Sequence, residues 1–407
     1  MKCYKDEILS NKIKNRLSKV GKNMEKIFCN KEELEYQQEI REFLMKELAP
    51  IKEKINQNKE IPLDLYRKMG RKGLFGPLIP EDYNGNGKGM IAHVIITEEI
   101  SRLNVAVSVM RTPCILDSYT IFKHGNEYQK DEFLKKIVSG EKIASICITE
   151  ENAGSNVAGM SSYAVKDGNE YILNGKKKFI TNAGIADYYL IWCITDKKVN
   201  PRNGISIFLV EKDTPGLEIE RPYGLLGLNG VMNGIVKLTD VRVPKDNLIG
   251  PKNRGYQILM NTFNVERITL SSECNGISLA VLDDSKKYAM NREQFGKKLV
   301  EFQTIRTKIA EIATKLQAAR SLTYGAAKLA MIGEEYTKEA SMAKVFSSKV
   351  AVEIALEGIQ IHGGNGYTNA YPMERYLRDA KFFQIGGGTS EIQILIIARE
   401  ELKKFSK

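Results

Sequence analysis

The sequence predicts an α+β fold in three parts: a helical N-terminal region, a central antiparallel β region and a C-terminal helix bundle. Three observations carry this. From Glu32 onward apolar residues recur at three- and four-residue spacing. Between about residues 142 and 250 they gather into short β-rich runs bounded by Gly, Asn, Asp or Pro, and after Gly255 the helical period returns almost to the end.

Residues 1–23 are polar and Lys-rich and hold no apolar stretch of signal-peptide length, while Asp6 and Glu7 do not suit a mitochondrial presequence. They read as a flexible extension, or as the result of a start codon upstream of Met24. The helical region, 24–140, opens with Leu34, Ile40, Phe43, Leu44 and Leu48 before Pro50 stops the run. Turns such as Pro80-Glu81-Asp82 and Asn84-Gly85-Asn86-Gly87 break it further on. The β region, 141–250, has strands expected at 170–173, 188–195, 205–210 and 235–243, with Pro244 and Gly250 closing it. In the bundle region, 251–407, Phe302, Ile305, Ile309, Ile312 and Leu316 form a narrow apolar seam.

The 407 residues are 43% hydrophobic and 27% charged, which excludes a wholly disordered chain. No window approaches the roughly 18–20 apolar residues of a membrane span. The formal charge of +11 comes from Lys and Arg interspersed with acids, so it reads as a solvated surface and not as a nucleic-acid groove. Six scattered cysteines without a CxxC pair fit reduced thiols and a cytoplasmic setting. Three distant histidines without neighbouring ligands argue against a metal site.

Chemistry concentrates in three segments. Thr149-Glu150-Glu151-Asn152-Ala153-Gly154-Ser155-Asn156 combines hydroxyls with small residues that let backbone N–H groups approach a ligand. In Lys178-Phe179-Ile180-Thr181-Asn182, an aromatic ring precedes a hydroxyl by two residues, which suits covering a planar cofactor and donating to its edge. Gln384-Ile385-Gly386-Gly387-Gly388-Thr389-Ser390-Glu391 places three glycines before a helix cap. It is not the dinucleotide fingerprint, since no βαβ strand precedes it. Alone, each also fits an ordinary turn, strand end or loop.

Taken in order with Asp240-Val241-Arg242-Val243-Pro244, Arg292-x-x-Phe295-Gly296 and Tyr376-Leu377-Arg378-Asp379-Ala380, these segments resemble the acyl-CoA dehydrogenase flavoproteins from about residue 25 to 400. The resemblance implies a C-terminal four-helix bundle, a homo-oligomer (a tetramer or dimer), and FAD lying between the β region and the bundle. It implies that Ile146, Ile148, Thr149 and Ser155 contact the flavin and its linker. Phe179 would shield the ring, and Ile180 and Thr181 would lie beside it. Arg292, Phe295, Gln303 and the stretch Gln360, Ile361, Gly363 and Gly364 would grip the FAD of a partner subunit, with Thr389 and Glu391 near its adenosine. The implied reaction is α,β-desaturation of an acyl thioester. A carboxylate takes the α-proton, the β-hydrogen leaves as hydride, and the N–H of Gly387 stabilises the thioester oxygen. An electron-transferring flavoprotein would be the acceptor.

The chain departs from the commonest pattern of that family in two places. Where many members carry the basic Glu, it has Gly387; a minority branch, resembling isovaleryl-CoA and long-chain dehydrogenases, supplies the base from a bundle helix. Phe263-Asn264-Val265-Glu266-Arg267-Ile268 matches that segment, with Glu266 at the required place. Asn264, Arg267, Gly386 and Gly388 join Ser155 as substrate-side candidates, Arg267 as a group that positions Glu266. Gly386 and Gly387 are expected to leave the pocket floor open for a branched or cyclic acyl group. The second departure is Val231-Met232, where coenzyme A-using members place polar residues. It raises the alternative of an acyl or aminoacyl group on a carrier protein, whose acidic surface the positive charge would attract. A third reading is a non-catalytic flavin-binding or interaction protein.

Overall fold

The computed structural model describes residues 27–220 and 224–403; the extension assigned to 1–23 lies outside them. Helix α1 (Lys31–Glu47) begins at a reciprocal cap: Asn30 Oδ1 accepts from the Glu33 N–H at 2.9 Å and Glu33 Oε2 from the Asn30 N–H at 2.7 Å. Its Tyr36, Ile40 and Leu44 face inward, as the spacing predicts. Helices α2 (Lys52–Asn58) and α3 (Leu63–Arg71) follow.

The long helical segment α4 (Gly89–His124) is interrupted at Asn104, whose extended backbone has φ −160° and ψ 108°. Asn104 Oδ1 accepts from the Ala106 N–H at 3.0 Å and so restarts the helix. A straight helix would hold Thr97 and Arg111 about 21 Å apart. They are hydrogen-bonded at 3.1 Å, so the chain doubles back at Asn104. A short stretch, α5 (Glu127–Gln129), runs through a π-helical turn (Lys130–Leu134) into α6 (Lys135–Val138).

The central strands are β1 (Ala144–Cys147), β2 (Tyr163–Asp167), β3 (Glu170–Thr181), β4 (Tyr188–Ile194), β5 (Ile205–Glu211), β6 (Leu217–Glu220), β7 (Asn233–Pro244) and β8 (Leu248–Ile249). They form one sheet in the order β6-β7-β3-β2-β4-β5-β8, with β1 beside β4. Its pairings are antiparallel except that β1 and β2 meet β4 in parallel. The four expected strands are present, but β3 continues eight residues beyond Leu173 to Thr181. Short β1, β2, β6 and β8 escape sequence reading because four or five residues, or two, carry little alternation.

The C-terminal helices are α7 (Gly255–Asn291), α8 (Gln303–Met331), α9 (Thr337–His362), α10 (Met373–Phe382) and α11 (Ser390–Leu402). A hairpin of β9 (Glu293–Gln294) and β10 (Lys297–Lys298) projects after α7, turning at Phe295 and Gly296, both with positive φ. Both halves of α4 pack along α7, and buried Glu98 binds the two regions together. Its carboxylate accepts from Arg320 Nε at 3.2 Å and Nη2 at 2.9 Å, from Tyr324 Oη at 3.1 Å and from Asn275 Nδ2 at 3.1 Å. Among the described residues no helix is long and apolar enough to cross a membrane.

Candidate active site

Glu266 lies in the fourth turn of α7, a half-buried residue whose Oε2 is wholly shielded and has no hydrogen-bond partner among the described residues. Burial pushes its carboxyl up to about 7, although the charges of Arg267 and Lys344 pull the other way. Gly387, on the loop between α10 and α11, faces it. A Cβ built there would lie 3.3 Å from Glu266 Cδ and 3.4 Å from Oε1. Gly387 has φ 61°, which a side chain would strain, and its N–H has no backbone acceptor among the described residues. Thus the Glu266 carboxyl stands directly beside the position at which a side chain at residue 387 would begin.

The loop is held from below. Gly387 and Gly388 carbonyls accept from Gln393 Nε2 at 3.3 and 3.2 Å, and Gly388 O also accepts from Lys344 Nζ at 2.5 Å. Burial lowers the Lys344 ammonium to about 8. Thr389 Oγ1 caps α11 through the Ile392 N–H at 3.4 Å, with Glu391 exposed beside it. Lys344 carries no sequence motif. Its one signal was a lysine on a face otherwise made of Ala340, Ala343, Ser347 and Ala351.

The expected open floor is not found. A Cβ at Gly386 would stand 2.6 Å from Phe382 Cζ, and one at Gly387 would stand 2.1 Å from Leu270 Cδ1. Neighbouring apolar side chains occupy what the glycines vacate, because a close-packed interior does not leave such room empty. Asn264 and Arg267 bond to each other, and Asn264 Nδ2 donates to Thr337 Oγ1 at 2.7 Å. They tie α7 to the start of α9.

Across from this corner, β1 and the end of β3 come together. Ser145 Oγ donates to the Thr181 carbonyl at 2.6 Å and the Lys178 N–H to the Thr149 carbonyl at 2.7 Å. Ile146, Ile148, Thr149, Phe179, Ile180 and Thr181 therefore share one edge. Ile146 also packs on the cluster containing Val265 and Ile268, either side of Glu266. The β3–β7 register slips between Lys177 and Ile180. This bulge turns Phe179 outward, with φ 60° and the residue 52% exposed. Ser155 is exposed on the neighbouring loop, next to Gly154, around which no atom comes within 4 Å of a built Cβ.

Under that loop, buried Glu150 pairs with buried Lys177 at 2.8 Å and accepts from the Ser161 and Ser162 N–H groups at 2.6 and 3.0 Å. Burial alone would raise its carboxyl, but Lys177 and the serines outweigh burial and draw it down to about 2. A depressed acid stabilises the fold above its unfolded value near 4.5 and loses that contribution as pH falls toward 2. We expect about 3 kcal/mol of stability to disappear across that window, and Glu150→Gln to flatten that part of the acid-unfolding curve.

Arg292, Gln360, Ile361, Gly363 and Gly364 line a separate cleft of about 440 Å³ with Tyr288, Leu299 and His362. Gln303 begins α8 beside it, and Phe295, 93% exposed, projects from the hairpin. Built Cβ atoms at Gly363 and Gly364 meet nothing within 4 Å, so the backbone there is open to a ligand. From Glu266 to the end of α7 is about 37 Å of helix. This cleft cannot serve the same reaction centre in one chain.

Two anchors carried no assigned role in the sequence. Asp379 Oδ1 accepts from the Leu228 N–H at 2.6 Å, and Arg378 Nη1 donates to the Leu226 carbonyl at 2.8 Å. Together they pin the loop leading to Val231 and Met232.

Comparison with known proteins agrees with this architecture. Residues 30–141, 145–241 and 253–402 match the models for the N-terminal, middle and C-terminal domains of acyl-CoA dehydrogenase. The chain is 37% identical over 377 residues to mitochondrial isovaleryl-CoA dehydrogenase of Pongo abelii, covering 91% of this chain and 88% of that one. It is 39% identical over 366 residues to the caffeyl-CoA reductase-Etf complex subunit CarC of Acetobacterium woodii, covering 89% and 96%. The structure of butyryl-CoA dehydrogenase from Megasphaera elsdenii superposes with a TM-score of 0.89 at 32% identity, covering 92% of this chain and 99% of that one. Matched in all three segments and in their order, the chain belongs to the acyl-CoA dehydrogenase family.

Proposed function

We propose that the chain is an FAD-dependent acyl-CoA dehydrogenase whose general base is Glu266. The observation that carries this is the unpaired Glu266 carboxyl standing 3.3 Å from the side-chain position of Gly387. A base must be close to the proton it takes and poised near the working pH, and a carboxyl at about 7 meets the second condition. The Gly387 N–H, without a backbone acceptor among the described residues, is placed to hold the thioester oxygen as negative charge grows there. With the α-carbon between these two groups, Glu266 removes its proton while Phe382 and Leu270 help keep water out. Arg267 and Lys344 offset the carboxylate charge before transfer.

The residues present fit FAD: an exposed ring on a bulge, hydroxyls at one edge, and open glycine backbone in the distant cleft. Ile146, Ile148, Thr149, Ser155, Phe179, Ile180 and Thr181 would hold it from one chain, with Thr389 and Glu391. Arg292, Phe295, Gln303, Gln360, Ile361, Gly363 and Gly364 would do so from a second copy, which makes the enzyme a homo-oligomer. FAD supplies the acceptor for the β-hydrogen when bound. An electron-transferring flavoprotein then reoxidises the enzyme, a reading supported by the similarity to a subunit named for its Etf complex.

The test is anaerobic addition of acyl-CoA thioesters to the yellow holoenzyme, with carrier-bound versions of the same acyl groups in parallel. Bleaching by acyl-CoA supports the reading. Bleaching only by carrier-bound acyl groups would replace CoA with a carrier protein. No bleaching by any thioester, with tight DNA binding, would overturn it in favour of a non-catalytic role.

A further inference from the structure

Two opposite charges share the corner beside the glycine loop, and no ion pair joins them. Lys344, on α9, is 1% exposed, and its Nζ makes one hydrogen bond among the described residues, to the Gly388 carbonyl at 2.5 Å. Lys177, buried to the same degree, instead has the Glu150 carboxylate at 2.8 Å. Taking an ammonium out of water against a single neutral acceptor costs stability. Packing alone gives no reason for a lysine at residue 344.

The loop it holds has little stiffness of its own. Gly387 and Gly388 have φ 61° and 83°, and a glycine in that region turns freely. On the α10 side, the Ile385 and Gly386 N–H groups donate to the Phe382 carbonyl, both at 2.9 Å. On the α11 side the anchors are side chains. Gln393 Nε2 reaches the Gly387 and Gly388 carbonyls at 3.3 and 3.2 Å, and Lys344 reaches the second of them. The Gly387 N–H lies between the two sets of anchors. Of the side-chain bonds, that from Lys344 is the shortest and comes from a charged donor, so it is the strongest.

The same ammonium acts on Glu266. Around the two, α7 contributes Arg267, Glu273 and the Cys274 thiol, while α11 contributes Glu391 and Arg399. Tyr336, just before α9, and His93 of α4 are kept neutral by burial. Arg267 and Lys344 are the cations that favour the ionised Glu266, and Arg267 is already bonded to Asn264 on its own helix. A base locked in a salt bridge would have to leave it before taking a proton. A cation bonded elsewhere lends its field and leaves the carboxylate oxygen free.

We propose that Lys344 is a positioning residue for the reaction: it fixes the Gly387 N–H for the thioester oxygen and offsets the charge of Glu266 without pairing with it. The inference rests on Glu266 as the base and Gly387 as the oxygen's donor. The test compares Lys344→Met with Gln393→Leu in the holoenzyme. Both remove an anchor of the loop, and the first also removes a charge. Each should slow anaerobic bleaching by acyl-CoA about tenfold or more. Lys344→Met alone should move the inflection of kcat/KM, upward from about 7 by about one unit. Lys344→Arg, which keeps the charge, should bring the inflection back toward that of the parent. Where Met does not fold, Lys344→Gln takes its place with the same expected shift. Bleaching within threefold of the parent, or an inflection that stays in place, overturns the inference, since a lysine serving stability alone would lower the melting temperature and leave both unchanged. Should the parent oxidise no thioester, the reading of Glu266 as base fails separately. Lys344 is then judged by infrared titration of the Glu266 carboxyl in Lys344→Met and parent, with Glu266→Gln as the blank. An unmoved titration overturns the inference.

Discussion

Glu266→Gln is expected to bind FAD and fold as the parent does, yet lose about 10²- to 10⁴-fold in kcat. The amide keeps the shape of the carboxyl but cannot accept the α-proton. Anaerobic stopped-flow bleaching reads the chemical step, and a rate within threefold of the parent would remove Glu266 from the mechanism. In the parent, kcat/KM should rise with pH through about 7 and level off above it, since the ionised form is the active one. Buried Glu273, two turns along and also raised to about 7 by burial, titrates in the same range. Glu273→Gln should therefore retain the inflection if Glu266 causes it.

The same substitution should stabilise the protein at alkaline pH. The folded Glu266 carboxyl lies above its ordinary 4.5, so the folded state holds the proton more tightly than the unfolded chain does. The stability this gives is complete below about 4.5 and is lost as pH rises through about 7, a loss of about 3 kcal/mol. Gln carries no such penalty. Thermal melts of both holoenzymes should separate at pH 8 and converge at pH 4.5.

Arg320→Met is expected to cost about 3–5 kcal/mol of stability without touching the reacting groups. Glu98 is fully buried, and burial raises its carboxyl, with Arg320 opposing that shift. Burial likewise works against the charge on Arg320, but Glu98 outweighs it and holds the guanidinium above its ordinary value. Removing Arg320 strands a carboxylate whose remaining donors, Tyr324 and Asn275, are neutral. Denaturant unfolding reads the loss, and Glu98→Gln with Arg320→Met together should recover part of it. A single variant within 1 kcal/mol of the parent would mean that α4 and α8 are held by apolar packing alone.

Much of the architecture was legible because long elements repeat their pattern. The seam from Phe302 to Leu316 lies in α8, and the alternation around Tyr188 and Ile205 lies in β4 and β5. The kink at Asn104 was not legible: an Asn within an apolar helical run looks like any polar residue until its side chain is seen to cap the next turn. The open floor expected from Gly386 and Gly387 failed for a related reason. Absence of a side chain says nothing about which neighbour moves in, and here Phe382 and Leu270 do.

By itself the sequence determined the order of helices and strands and the family, and it pointed to Glu266 as the carboxylate that we propose takes the role of the Glu absent at Gly387. These are properties of residue type and spacing, which the chain carries before it folds. Only the tertiary structure decided that Glu266 has no hydrogen-bond partner among the described residues, that Lys344 holds the glycine loop, and that the cleft around Arg292 lies some two-thirds of α7 away from the Glu266 corner. Those facts depend on which residues distant in sequence meet across α4, α7 and α9, and on what burial there does to their charges.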